Sequence, residues 1–149
     1  MKKHTIAITE IKQVINREIE LEIDQIRSPK EASDLAYSII GDSDREHFLV
    51  ISLSTKNRVN NIEIAHVGTL NTCVTSPRDI LKGAILSNAA AIILVHNHPS
   101  MELKPSEEDI QFTRRMIDAG QTIGIEMLDH VIINQNNEYY SMKEFNFVV

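Results

Sequence analysis

Among the 149 residues there is one cysteine, Cys73, so no internal disulfide can form and no cysteine-rich zinc knuckle can be built from this chain alone. Glycine (5) and proline (4) are scarce, which excludes collagen-like and low-complexity architectures. Long apolar runs are missing too. The longest, Ala89 to Val95, falls far short of the roughly 20 residues a membrane-spanning helix requires. The opening Met1-Lys2-Lys3 has the charge of a secretory leader, but the apolar stretch behind it runs straight into Glu10 and Lys12, so no leader core forms. The expectation is a soluble, cytoplasmic protein. Basic charge is also in deficit, with 15 Lys and Arg against 21 Asp and Glu and a net charge of -6. That is the wrong sign for a generic binder of nucleic acid or of anionic membranes.

What remains is the composition of a compact globule, 42% hydrophobic and 24% charged. A chain of this length is one ordinary domain and buries about 68–70% of its unfolded surface. Residues 1–27 are ambiguous. Ile11, Val14, Ile15 and Ile19 have helical spacing, while Ile19, Leu21 and Ile23 alternate with Glu20 and Glu22, so the segment reads as a short helix or irregular arm followed by an edge strand. Ser28-Pro29-Lys30-Glu31 offers an N-cap, a proline at the first helical position and a reciprocal acidic cap, predicting a helix to Ile40 stopped at Gly41.

Phe48–Leu53 and Arg58–Val67 read as a hairpin, and Ser76-Pro77-Arg78-Asp79 opens a second helix through Ser87. Ala89–Val95 reads as a buried strand running into His96-Asn97-His98-Pro99. A third helix is capped by Ser106 and stopped at Gly120. Two strands, Ile123–Leu128 and Val131–Ile133, flank Asp129-His130, and a turn at Asn136-Asn137-Glu138 precedes Tyr139. This order predicts an α/β protein with a mixed sheet packed with helices.

Histidines two apart at the end of a strand project to one side, the separation needed to offer two imidazoles to one metal. The competing reading packs one ring at the strand edge and exposes the other. Asp109 phases with Phe112, Thr113, Met116 and Gly120 and so points inward. There it either closes a capping box with Ser106 or serves as a third ligand, leaving a fourth position open as catalytic zinc sites require. Glu46 shares strand parity with Phe48 and Val50, and stands either drawn inward or exposed at the strand mouth.

The spacing His96-x-His98-Pro99, six residues, Ser106-x-x-Asp109 resembles the JAMM (MPN) metalloprotease signature. Gly68-Thr69-Leu70-Asn71, Ser76-Pro77-Arg78-Asp79, Asn88 to Ser100, Ala119-Gly120, Leu128 to Ile133 and Tyr139-Tyr140-Ser141 extend the likeness to the bacterial RadC family within it. The resemblance implies a cytidine-deaminase-like α/β domain over 28–149, preceded by an arm or edge element over 1–27. It implies zinc held by His96, His98 and Asp109, a glutamate general base for which Glu46 in Arg45-Glu46-His47-Phe48 is the match, and Ser106 steadying the tetrahedral intermediate. The implied activity is hydrolysis of an amide bond in a peptide or isopeptide substrate.

Glu63, Glu102, Glu107 and Glu108 are the alternatives to Glu46. His130 reads as a buried hydrogen-bonded ring and not a fourth ligand, His47 lies on the strand face opposite Glu46, and Cys73 reads as an inert thiol. Two departures from the family pattern stand out. Met101 occupies the place of a glycine, which would restrict any special backbone angle there, and 27 residues are too few for the helix-hairpin-helix-like region of longer members. The rival function is a DNA-associated repair or recombination accessory protein using Arg78, Lys82, Lys104, Arg114 and Arg115, an association the net charge disfavours. A small-amide or nucleotide-related hydrolase is a third reading, and no membrane partner is expected.

Overall fold

The structure is a computed structural model and describes residues 1–68 and 76–148. Cys73 and the Thr69-Leu70-Asn71 stretch lie outside the described residues. The elements run α1 (Pro29–Ile40), β1 (His47–Leu53), β2 (Val59–Val67), α2 (Pro77–Leu86), β3 (Ala91–Asn97), α3 (Glu107–Ile123), β4 (Glu126–Ile133) and β5 (Tyr139–Ser141). They form a five-stranded sheet in the order β2-β1-β3-β4-β5. β1 pairs antiparallel with both β2 and β3, β3 and β4 are parallel across the α3 crossover, and β5 returns antiparallel. The mixed sheet expected from the order of elements is present.

Strand alternation divides the core into two layers. Phe48 and Val50 of β1 join Ile92 and Leu94 of β3 against Ile80, Ala84, Phe112 and Met116 of α2 and α3. Leu49, Ile51 and Leu53 join Ile93 and Val95 against Leu35, Ala36 and Ile40 of α1. Because every second residue of β3 faces α3, His96 follows Ile92 and Leu94 onto that side.

α1 spans the predicted residues, with Ser28 Oγ accepting the Glu31 amide and the Glu31 carboxylate reaching back to the amide of Arg27. At α2 the cap differs from expectation: the Ser76 hydroxyl takes no helix amide and instead donates to Asp79 Oδ2 at 3.1 Å. α3 does not stop at Gly120. It runs on to Ile123 and ends where Gly124 takes the left-handed conformation, φ 79°. Gly120 is glycine for a different reason, since a Cβ there would lie 2.3 Å from the backbone oxygen of Ile125, where the chain folds back toward β4.

The two strands expected around Asp129-His130 are one. β4 continues through both residues, with a bulge between Met127, opposite Ile92, and Asp129, opposite Ile93. Residues 1–24 hold neither the expected helix nor the edge strand, and most of their side chains are exposed. The ladder engages later than the alternation suggests: Gln25 bridges Arg58, Ile26 donates to the Asn57 carbonyl, and Ile26 is the first buried residue. Without a cap, the short β-branched segment before it cannot offset the cost of helix nucleation.

Candidate metal centre

β3 ends against α3, and the junction carries the polar cluster. His96 is the penultimate residue of β3, and its ring stacks on Phe48 of the neighbouring strand at 5.6 Å between centroids. His98, just beyond the strand, is fixed by its own amide donating to the Ile133 carbonyl at 2.8 Å and by its Nδ1 on the Glu102 carbonyl. The two Nε2 atoms approach to 2.8 Å. Asp109, buried in the first turn of α3, brings Oδ1 to 3.3 Å from His96 Nε2 and Oδ2 to 3.4 Å from His98 Nε2.

The capping reading of Asp109 is met, and it leaves the carboxylate placed for the other. Its Oδ2 accepts the Ser106 amide at 2.8 Å while Ser106 Oγ accepts the Asp109 amide at 3.1 Å, completing the capping box, and the same carboxylate faces both imidazoles. A hydroxyl that accepts in a cap retains its own proton to donate outward, and Ser106 is exposed. The cap therefore holds the carboxylate at its post.

The charge balance fits a cationic guest. Burial opposes the ionised form of Asp109, but hydrogen bonds from His96 and His98, the His96 charge and the Ser106 amide outweigh it and hold its carboxyl well below the usual carboxylate range. Burial likewise opposes a charged His98, yet the hydrogen bond to Asp109, the Glu102 carbonyl and the charges of Asp109 and Glu46 leave its pKa raised. His96, His98 and Asp109 present one ligand atom each within 4.8 Å of one another. Two imidazole nitrogens and a carboxylate, all buried, make a donor set that could hold a divalent metal and suits zinc.

Glu46 does not belong to that group of three. It is half-buried at the mouth of β1, close enough for its charge to act on His98. Of the alternatives, Glu63 pairs across from Val50 and packs over Gly83 of α2, and the Glu102 side chain accepts the Lys104 amide. Glu107 and Glu108 are exposed in the first turn of α3. His47 turns its Nδ1 to the Arg45 carbonyl.

Three residues matter here that the sequence reading did not single out for a role. Asn97, between the histidines, accepts the His47 amide at 2.7 Å and donates to the Arg45 carbonyl at 2.8 Å, clamping the backbone on both sides of Glu46. Thr113 lies between Asp109 and His130, and Phe48 packs on both His96 and His130. An Asn inside a His-x-His triplet is the one available sequence signal, because a side-chain amide offers both a donor and an acceptor. His130 is fully buried and hydrogen-bonded to His96, and burial, with the His96 charge adding, pushes its pKa well down.

A mixed α/β sheet whose strand-end histidines meet an inward carboxylate at a helix N-terminus is an arrangement of the JAB (MPN) type. The chain belongs to the RadC family: the RadC-like JAB domain matches residues 26–147. It is 52% identical over 119 residues to a UPF0758 protein of Desulfitobacterium hafniense, covering 80% of this chain and 52% of that one. A UPF0758 protein of Desulforamulus reducens is 49% identical over 118 residues, covering 79% and 52%. One from Methanosarcina barkeri is 37% identical over 124 residues, covering 83% and 54%. The chain thus spans about half the length of the curated relatives it matches.

Proposed function

We propose that this chain is a zinc-dependent metallohydrolase that cleaves an amide bond in a peptide or isopeptide, working in the cytoplasm through a cytidine-deaminase-like domain over residues 28–149. The observation that carries this reading is the buried convergence of His96 Nε2, His98 Nε2 and the Asp109 carboxylate. Zinc held by these three supplies Lewis-acid chemistry, polarising a carbonyl and making water nucleophilic near neutral pH.

Glu46 is the general base. It takes a proton from the attacking water as the new C–O bond forms, and returns that proton to the amine nitrogen as the C–N bond breaks. Ser106 donates its free hydroxyl proton to the oxyanion while its oxygen stays engaged in the α3 cap. Asn97 keeps the Arg45–His47 backbone, and with it Glu46, in register with the histidines.

The test is a screen of the zinc-loaded chain against peptide and isopeptide panels. Glu46→Gln is expected to keep the metal and lose about 10²–10⁴-fold in turnover, whereas His98→Ala and Asp109→Ala lose both. Unchanged turnover in Glu46→Gln removes Glu46 from the mechanism. Cleavage confined to small amides or nucleotide-related compounds replaces the substrate class.

A further inference from the structure

We propose that Thr113 and His130 are positioning residues that form a polarised hydrogen-bond relay, fixing His96 in the tautomer with its proton on Nδ1 and its bare Nε2 turned into the metal centre. The proposal rests on the metal-centre reading above and deepens it.

The polarity of the relay is set at its start. Thr113 Oγ1 lies 2.7 Å from the backbone oxygen of Asp109, one helical turn earlier, and a carbonyl oxygen can only accept. That bond uses the single hydroxyl proton, leaving Oγ1 with lone pairs for the 2.6 Å contact to His130 Nδ1. Nδ1 of His130 is therefore the donor. In a neutral ring the other nitrogen is then an acceptor, and His130 Nε2 lies 2.7 Å from His96 Nδ1. His96 must donate there, and its Nε2 carries no proton. His98 reaches the same state in one step, because its Nδ1 faces the Glu102 carbonyl.

With both rings neutral and their protons on Nδ1, the centre presents three acceptors facing one another with no donor between them. His96 Nε2 and His98 Nε2 stand 2.8 Å apart, and Asp109 Oδ1 is 3.3 Å from the former. Such a group invites a cation. The opposite relay polarity would place a proton on His96 Nε2, pointing at Asp109, and close the site with a hydrogen bond. The Thr113 bond to the Asp109 carbonyl selects against it.

The relay also begins and ends on the centre. Asp109 supplies a carboxylate to the cluster and, through its own carbonyl, sets the proton on His96, so seating the α3 N-terminus prepares two ligands together. Three ring contacts of Phe48 hold the relay rigid: it stacks on His96, meets His130 edge-on at 5.4 Å and meets Phe112 edge-on at 5.2 Å. The bulge in β4 gives the relay its geometry, since Met127 and His130 lie three residues apart yet both reach the α3 side of the sheet.

The experiment combines two readouts on the full chain at pH 8: the zinc dissociation constant by chelator competition, and the imidazole tautomers of the metal-free protein by long-range ¹⁵N–¹H correlation. The expected result is a protonated Nδ1 and bare Nε2 on His96 in the wild type. Thr113→Val, which keeps the shape and removes the hydroxyl, should shift His96 toward the Nε2-protonated form and weaken zinc binding about 10–100-fold. Thr113→Ser should restore both.

His130→Phe should weaken zinc comparably, and the Thr113 pair decides the matter if that variant does not fold. A wild-type His96 protonated at Nε2, or a Thr113→Val protein with unchanged tautomer and zinc affinity, overturns the relay. Failure of the wild type to bind zinc overturns the metal-centre reading instead, and the tautomer measurement still judges the relay.

Discussion

Single residues at the centre carry more than one task, and the sequence showed only some of them. The His-x-His spacing and the phase of Asp109 were readable because ligands must share a face, and periodicity reports faces. Whether Asp109 capped or ligated could not be read, since both need the same inward carboxylate; in the structure it closes the cap and the same carboxylate faces both imidazoles. Thr113 was legible only as part of a buried stripe, because its bonds depend on a histidine that arrives from another strand. Met101 illustrates a departure with a measurable cost. It sits at φ 72°, in the left-handed region where a side chain is disfavoured and glycine is not. Relief of about 1–2 kcal/mol of backbone strain outweighs the roughly 0.4–1 kcal/mol of unfolded-chain entropy that glycine adds. Met101→Gly is therefore expected to stabilise the protein by up to about 1 kcal/mol in urea unfolding, and a net loss would show that the Met101 side chain contributes packing of its own.

At the scale of elements, helix starts were more legible than stops or joins. A start is written locally: Ser28-Pro29 and Ser106 through Asp109 hold their own capping groups, and both helices begin where those groups place them. A stop depends on where the chain goes next. Gly120 looked like a terminus, but it is the point of close approach to Ile125, and the left-handed cap falls at Gly124. The two glycines should respond differently to alanine. In an ordinary helix interior the change would stabilise, yet at Gly120 the new Cβ would meet backbone, so a loss of about 1–3 kcal/mol is expected. At Gly124 space is open and only the positive φ resists, at about 1 kcal/mol. Equal effects in denaturant titrations would refute this division. The single β4 in place of two strands has a similar origin, because a buried Asp-His pair breaks an apolar pattern without breaking the ladder. Asp129 is satisfied by the Ser141 hydroxyl at 2.6 Å and by the amides of His130 and Lys143, which lets the strand run on.

For the whole molecule, the mixed sheet followed from the order of elements, while the arm over residues 1–24 did not, since apolar spacing says nothing about whether a surface exists to receive it. Among the described residues no helix is long and apolar enough to cross a membrane. The net charge of -6 sets the expectation for nucleic acid. Titration of the zinc-loaded chain with fluorescent duplex and single-stranded DNA should give weak binding, whereas submicromolar affinity with a salt slope of about 0.9 per phosphate neutralised would favour the repair-associated function. The proposed chemistry requires His96, His98 and Asp109 to share one metal. Zinc-edge X-ray absorption of the protein loaded with one equivalent reads that sphere directly. The expected result is two imidazole nitrogens with oxygen donors at about 2.0–2.2 Å, the imidazole signal falling in His98→Ala; a zinc sphere without imidazole, or no retention of stoichiometric zinc, would contradict it.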